Sequence, residues 1–212
     1  MTLTILMCVH SINKSYDNMI IRALESLNRQ TYKKFDVVIV LDECWEHTKG
    51  EIENKNFFFD YKIIEKEKKQ GLAIAKNVGL KQINSDYVGF IDGDDMYVED
   101  KLEKQVKYLK YNDVDFLGTL CWNLVGGVKR ESCFKYGQYE THEDIKKRLP
   151  TENVITHGSM IIKRKCLEEL DYYNNVKGAE DWDLWKRAIK KYKFYQLQER
   201  LYILSIGTSV PR

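Results

Sequence analysis

Residues 87–100 read YVGFIDGDDMYVED, and the reading of the whole chain grows outward from them. Tyr87, Val88, Phe90 and Ile91 form a short run of strand formers that stops at Asp92, Gly93, Asp94 and Asp95. Three carboxylates on four residues repel one another and lose hydration unless a cation sits among them. Hard oxygen donors at a strand tip suit Mg2+ or Mn2+, ions that commonly also hold a substrate's phosphates. Gly93 permits a tight turn and close approach of a ligand. The plainer alternative is an acidic loop leading into a helix that starts near Glu99.

The segments before this tip alternate between strand and helix patterns. Thr2–Val9 and Phe35–Leu41 are apolar strand-forming runs, the second ending at Asp42, and Tyr61–Ile64 is a third short strand. Between them Ser15 is placed to cap a helix with Ile20, Ile21, Leu24 and Leu27 on one face. Gly71–Leu80 reads as a helix entered through Gly71, and residues 44–56 read as irregular. Alternation of this kind implies parallel pairing with right-handed crossovers. Ligands of such sheets bind beyond the carboxyl ends of the strands, where Asp42 and Asp92–Asp95 fall.

Beyond residue 100 the pattern becomes mixed α+β. Glu99–Lys110 is expected to be a helix, Phe116–Val125 and Lys129–Tyr136 strands joined through Gly126–Gly127, and Glu143–Leu149 a short helix closed by Pro150. Val154–Ile162 is expected to be a strand interrupted at His157 and Gly158, and Glu180–Tyr192 a helix with Trp182, Trp185, Ala188 and Ile189 on its apolar face. No repeat or linker divides the 212 residues, so a single domain is expected, with a nucleotide-binding half over about 1–100 and a mixed α+β half over about 101–212.

Bulk composition narrows the function classes. With 43% hydrophobic and 31% charged residues the chain has globular rather than disordered composition. A formal charge of +2 gives no reason to expect nucleic acid or a membrane surface as partner. Five scattered cysteines without a CxxC pair argue against a disulfide framework or structural zinc, and suggest a reducing, cytoplasmic setting. No signal-peptide pattern and no apolar run near 20 residues is present, so no membrane span is expected in this chain, which could be one domain of a longer protein.

Several segments, taken in order, carry a family resemblance: RALESLNRQTYKKFDVVIVLDE, GLAIAKNVGL, YVGFIDGDD, HGSMIIKRKCLEEL, AEDWDLWKRA and the tail FYQLQERLYIL. In that order and spacing they resemble the inverting glycosyltransferases of family 2, over nearly the whole chain. The resemblance implies the GT-A fold, an α/β architecture with a mostly parallel central sheet flanked by helices and a mixed α+β acceptor-side half. It also implies a metal-dependent enzyme that moves a hexose or deoxyhexose from a nucleotide diphosphate sugar, by expectation UDP-linked, to a glycan hydroxyl with inversion. Val9 would touch the donor base through its backbone and Asp42 would read it. Lys76 and Asn77 would line the nucleotide site. Asp92 and Asp94 would lie against the nucleotide, and Asp95, with Asp94, would hold Mn2+ or Mg2+. Asp181 would be the catalytic base, with Glu180, His157 and Trp182 on the acceptor side.

The chemistry gives these roles a reason. A departing diphosphate gains charge that a divalent cation stabilises, and an acceptor hydroxyl must lose a proton to a base on the opposite face. The sequence departs from the family at Cys8-Val9-His10-Ser11 and at Cys44-Trp45-Glu46, and a family arginine near the final strand has no counterpart around Leu204–Ser205. Two rival functions are weighed beside this one. A sugar-1-phosphate nucleotidyltransferase would need an early Gly-rich basic signature that HSINKSYDN lacks. A non-catalytic sugar-nucleotide or glycan-binding module would have no use for both acidic groups.

Overall fold

Strands and helices sort themselves by the period of their buried residues. In a computed structural model describing residues 1–131, 139–176 and 178–207, the first strands are β1 (Leu3–Val9), β2 (Asp36–Asp42), β3 (Tyr61–Lys66) and β4 (Tyr87–Asp92). Alternate residues face opposite sides of a strand, and the core follows that rule. Leu6, Val38, Val40, Val88 and Phe90 pack on one face of the sheet, with Ala73 and Ala75 of helix α3 (Leu72–Leu80). Ile5, Met7, Val37, Ile39 and Ile91 pack on the other, with Ile20, Leu24 and Leu27 of helix α1 (Lys14–Asn28). Gly79 lets α3 lie close on the sheet, since a Cβ there would come within 2.4 Å of Leu6 Cδ1.

The strands β3, β2, β1 and β4 are neighbours in that order and all parallel. The chain therefore steps outward from β1 to β3 and then crosses back to place β4 on the other side of β1. That reversal opens a crevice beyond the carboxyl ends of β1 and β4, where a ligand of an open α/β sheet is expected. Cys8 of β1 stands opposite Asp92 of β4 at its rim.

The remaining elements are α2 (Thr48–Glu53), β5 (Met96–Tyr97), α4 (Lys101–Tyr111), β6 (Phe116–Val125), β7 (Val128–Glu131), α5 (His142–Arg148), β8 (Ile161–Lys163), α6 (Arg164–Glu169), α7 (Glu180–Ala188) and β9 (Phe194–Ile206). β8 pairs antiparallel with both β4 and β6, β9 lies parallel to β6, and β5 closes the end of the sheet against β9. The sheet is thus mixed and continuous, and the expected α/β architecture holds.

Several local expectations shift. Asn13, not Ser15, caps α1, its side chain accepting from the Ser15 amide. A short helix, α2, occupies part of the stretch expected to be irregular. His157–Ser159 is a 3-10 turn, so the strand read over Val154–Ile162 is confined to β8. Of the strand expected over Lys129–Tyr136, residues 132–136 lie outside the described residues. Pro150 follows α5, whose start is fixed by a reciprocal pair of bonds between Thr141 and Asp144.

Candidate functional site

The acidic tip is held from beneath by residues far away in sequence. Asp95 is 1% exposed, and both of its oxygens are taken: Tyr202 Oη donates to Oδ2 at 2.7 Å and the Ser205 amide to Oδ1 at 2.7 Å. Both donors come from β9. Burial, together with the charges of Asp92 and Asp94, pushes the Asp95 carboxyl well above the usual range. Arg22 of α1 reaches the Asp94 carbonyl at 2.6 Å and Ser205 Oγ at 3.1 Å, and Ser205 Oγ donates to the same carbonyl at 2.5 Å. Gly93 is required for space, because a Cβ there would meet Val9 Cγ1 at 2.5 Å.

Asp95, expected as a metal ligand with Asp94, is here buried and bonded through both oxygens to β9, so it anchors the loop. Asp92 and Asp94 are both half-buried. Among the described residues no set of three or more His, Cys, Asp or Glu side chains converges as a metal centre. Two carboxylates still suit Mg2+ or Mn2+, which take hard oxygen donors and complete their shells with phosphate and water.

The nucleotide-edge residues are placed as follows. Asp42, 4% exposed, accepts from Lys66 Nζ at 2.7 Å and from the amides of Gln70 and Gly71 at 3.2 and 3.1 Å. It therefore ties the end of β2 to the loop entering α3, and is not an open carboxylate awaiting a base. The Val9 carbonyl accepts from Cys44 Sγ at 3.4 Å, and His10 Nδ1 lies 2.9 Å from the Asp42 carbonyl. Burial raises the Cys8 thiol to about 12, so it stays protonated at neutral pH.

Lys76 and Asn77 point toward the second half of the chain. Lys76 Nζ donates to Glu180 Oε1 at 2.8 Å. Asn77 bonds both polar groups of the Tyr173 backbone, donating from Nδ2 to its carbonyl at 2.8 Å and accepting its amide at 3.0 Å. Asn77, expected to line the nucleotide site, thus has its amide group engaged in this clasp. Burial would raise the Glu180 carboxyl, but the Lys76 ammonium outweighs it and leaves the group below its ordinary value.

Asp181, half-buried in the first turn of α7, accepts from Asn153 Nδ2 at 3.1 Å and from the Trp182 amide at 2.7 Å. Ala179 just before it has φ 118° and ψ 32°, backbone that a residue with a Cβ rarely adopts. His157 is corrected from an acceptor-side residue to a core one. It is 7% exposed, its Nε2 lies 2.7 Å from Tyr173 Oη, and its ring packs against Phe90 and Trp185. Burial first, and then the Lys76 charge, depress its pKa well below the ordinary value, so it is neutral. Trp182 donates its Nε1–H to the Leu149 carbonyl at 2.8 Å and carries Lys186 Nζ 3.5 Å from its ring centre. That ammonium occupies the position a stacked sugar would need on the same face.

Tyr173 joins the two acidic groups. Its phenol is buried, and its pKa is raised well above normal by burial first and then by the carboxylates of Asp181 and Glu180. Its ring packs 6.4 Å from Phe90 of β4 and 5.1 Å from Lys76 Nζ, which is bonded to Glu180 at the start of α7. Arg22, Tyr173, Tyr202 and Ser205 were not legible as site residues. A depression of about 460 Å3 between Thr4, Asp36, Asp60 and Lys62 lies at the opposite, amino ends of the strands.

A sheet whose parallel half reverses its strand order at β1 and β4 and continues into a mixed half, with helices on both faces, defines a GT-A glycosyltransferase fold. The family model for glycosyl transferase family 2 matches residues 5–171, and the chain belongs to that family. An uncharacterized glycosyltransferase of Methanocaldococcus jannaschii, MJ1057, is 32% identical over 185 residues, covering 84% of this chain and 63% of that protein. The structure of S. aureus TarS 1–349 in complex with UDP superposes with a TM-score of 0.79 at 22% identity, over 97% of this chain and 61% of that one. The mannosyltransferase PcManGT of Pyrobaculum calidifontis, in complex with GDP-Man and Mn2+, gives 0.72 at 19%, over 98% and 57%. The chain thus spans about three fifths of the length of these three proteins. No helix among the described residues is long and apolar enough to cross a membrane.

Proposed function

We propose that this chain transfers a hexose or deoxyhexose from a nucleotide diphosphate sugar to a glycan hydroxyl, with inversion. The observation that carries the reading is a chain of contacts from the start of α7 to the end of β4: Lys76 Nζ bonds Glu180, next to Asp181, at 2.8 Å and lies 5.1 Å from the ring of Tyr173, which packs 6.4 Å from Phe90, two residues before Asp92. It gives one cleft both a polar edge for a donor and a carboxylate for an acceptor proton. UDP is the favoured donor nucleotide, in line with the TarS complex, and the PcManGT complex makes GDP the comparison to test.

The nucleotide lies beyond β1 and β4, with Val9 and Gly93 close beneath it and Asp92 and Asp94 toward its ribose and phosphates. Those two carboxylates are the residues that would hold Mn2+ or Mg2+. The bound cation supplies electrostatic stabilisation of the departing diphosphate. Asp95 keeps the loop in the shape that presents its neighbours. Asp181 takes the proton from the acceptor hydroxyl as that oxygen attacks the anomeric carbon from the face opposite the diphosphate. General base catalysis of this kind contributes about 10²–10⁴-fold. One displacement inverts the sugar, so no covalent intermediate forms on the protein.

The test combines binding and turnover. UDP, GDP and their sugars are screened by thermal melting with and without Mn2+, since a ligand of the folded state alone raises Tm. Hydrolysis of the donor that binds is then compared between parent and Asp181→Asn. The expected result is binding retained and turnover reduced at least 100-fold. Absence of any shift with any nucleotide refutes the donor assignment, and unchanged turnover in the variant refutes the base.

A further inference from the structure

The segment that delivers Asp181 is gripped at both ends by one helix. At one end Asn77 clasps the Tyr173 backbone, and at the other Lys76 is bonded to Glu180. Lys76 and Glu180 are nearly out of solvent, with side chains 5% and 13% exposed. The Lys76 ammonium also lies 5.1 Å from the centre of the Tyr173 ring. Between the grips the chain passes through the left-handed backbone at Ala179.

Successive residues of an α-helix project about 100° apart around its axis. Glu180 and Asp181 are consecutive in the first turn of α7, so drawing Glu180 onto Lys76 fixes the rotation of that turn. Asp181 is thereby swung to one side, where Asn153 meets it. Asn153 on Asp181, Trp182 Nε1 on the Leu149 carbonyl and Asn174 on Asp183 also hold this turn, but the ion pair is the contact that ties it to α3.

We propose that Lys76 is a positioning residue for Asp181, acting through Glu180, so that the helix beside the nucleotide edge sets the aim of the base. The proposal rests on Asp181 being the base, as read above. It assigns Lys76 a task other than direct contact with donor phosphates. The ammonium is turned to the α7 side, where it also acts on His157, and its charge reaches back to Cys8 at the rim opposite Asp92.

Lys76→Met and Glu180→Gln, singly and together, test it, with Lys76→Arg as the conservative variant. Affinity for UDP is measured by calorimetry, turnover by hydrolysis of the UDP-sugar the parent uses, and order of the segment by amide hydrogen exchange at Trp182 and Asp183. Each single variant should lower kcat at least tenfold with the Kd for UDP within twofold. Exchange at the two amides should quicken at least tenfold, the double variant should be no worse than either single, and Arg should restore most of the rate.

A tenfold loss of UDP affinity in Lys76→Met with Glu180→Gln unaffected would overturn the proposal and make Lys76 a donor ligand. Unchanged exchange at both amides would overturn it as well, and decides the matter if no UDP-sugar is turned over. Failure of the base reading has a different signature: Asp181→Asn would keep full turnover while the exchange still reported the clasp.

Discussion

Replacing Tyr202 by Phe removes one oxygen from the least solvated part of the acidic tip. That oxygen donates to Asp95 Oδ2 at 2.7 Å and accepts the Asp92 amide at 3.3 Å. A hydrogen bond to a charged group contributes about 1.5–3 kcal/mol and a neutral one about 0.5–1.5. The loss at pH 8 is therefore about 2–4 kcal/mol, or about 4–16 °C in Tm at about 2–4 °C per kcal/mol for a chain of this size. The pH dependence is the sharper test. The folded pKa of Asp95 lies above its unfolded value, so the folded chain holds the extra proton between the two. Its stability contribution falls as pH rises through that window. Tyr202 favours the anion, and without it the folded pKa climbs further and the fall steepens. The Tm deficit of Tyr202→Phe should thus be smaller at pH 4.5 than at pH 8, since the protonated acid loses only a neutral partner. Tyr97→Phe is the control, because Tyr97 Oη donates to the uncharged Phe90 carbonyl. Thermal melts of the three proteins at both pH values decide it. Equal deficits for Tyr202→Phe at the two pH values, or none at all, would refute the account of a charged buried anchor.

Three further outcomes are expected. Gly158→Ala would place a Cβ 2.0 Å from Tyr202 Oη and 2.4 Å from Cζ, and since Tyr202 is fully buried the ring cannot step aside. Melting should show a loss of about 2 kcal/mol or more, within the overpacking range, with weakened UDP binding because the Asp95 anchor moves. Gly93→Ala should weaken UDP binding through its clash with Val9, and Val9→Ala in the same chain should restore part of it by calorimetry. Lys101 is fully buried, bonded to Gln105 at 2.7 Å, and burial holds its pKa well below the ordinary 10.5. A lysine lowered on folding releases a proton, so the parent should gain stability relative to Lys101→Met as pH rises from 7 toward 10. Melts of the two proteins that stay parallel over that range would count against it.

What the sequence discloses and what it conceals divide along a physical line. The period-2 burial of Leu6, Val38, Val40 and Phe90 against Ile5, Met7, Ile39 and Ile91 is local, so the parallel half of the sheet can be read directly. The acidic tip is likewise visible as a run of like charges ending a strand. The partners of those charges are another matter. Tyr202 and Ser205 meet Asp95 across more than a hundred residues, and Arg22 meets Asp94 across 72. Nothing in FYQLQERLYILSI distinguishes Tyr202 from an ordinary strand aromatic. His157 shows the same limit: a histidine among apolar residues reads alike whether its ring meets solvent or, as here, Trp185 and Phe90.

The division of labour inside the DGDD tip follows from this burial. Three neighbouring carboxylates repel one another, and a buried one is kept in place by the hydrogen bonds its oxygens accept. Here the third, Asp95, is taken out of solvent and fixed by two donors of β9. Its backbone neighbour Asp94 is fixed at the carbonyl by Arg22 and Ser205. The function proposed above gives the donor to the side chains of Asp92 and Asp94, beside a peptide that is held still. Across from them Glu180 is tied to Lys76, and the proposal has that bond aim Asp181 beside it. In that proposal each side uses one carboxylate for position and its neighbour for chemistry.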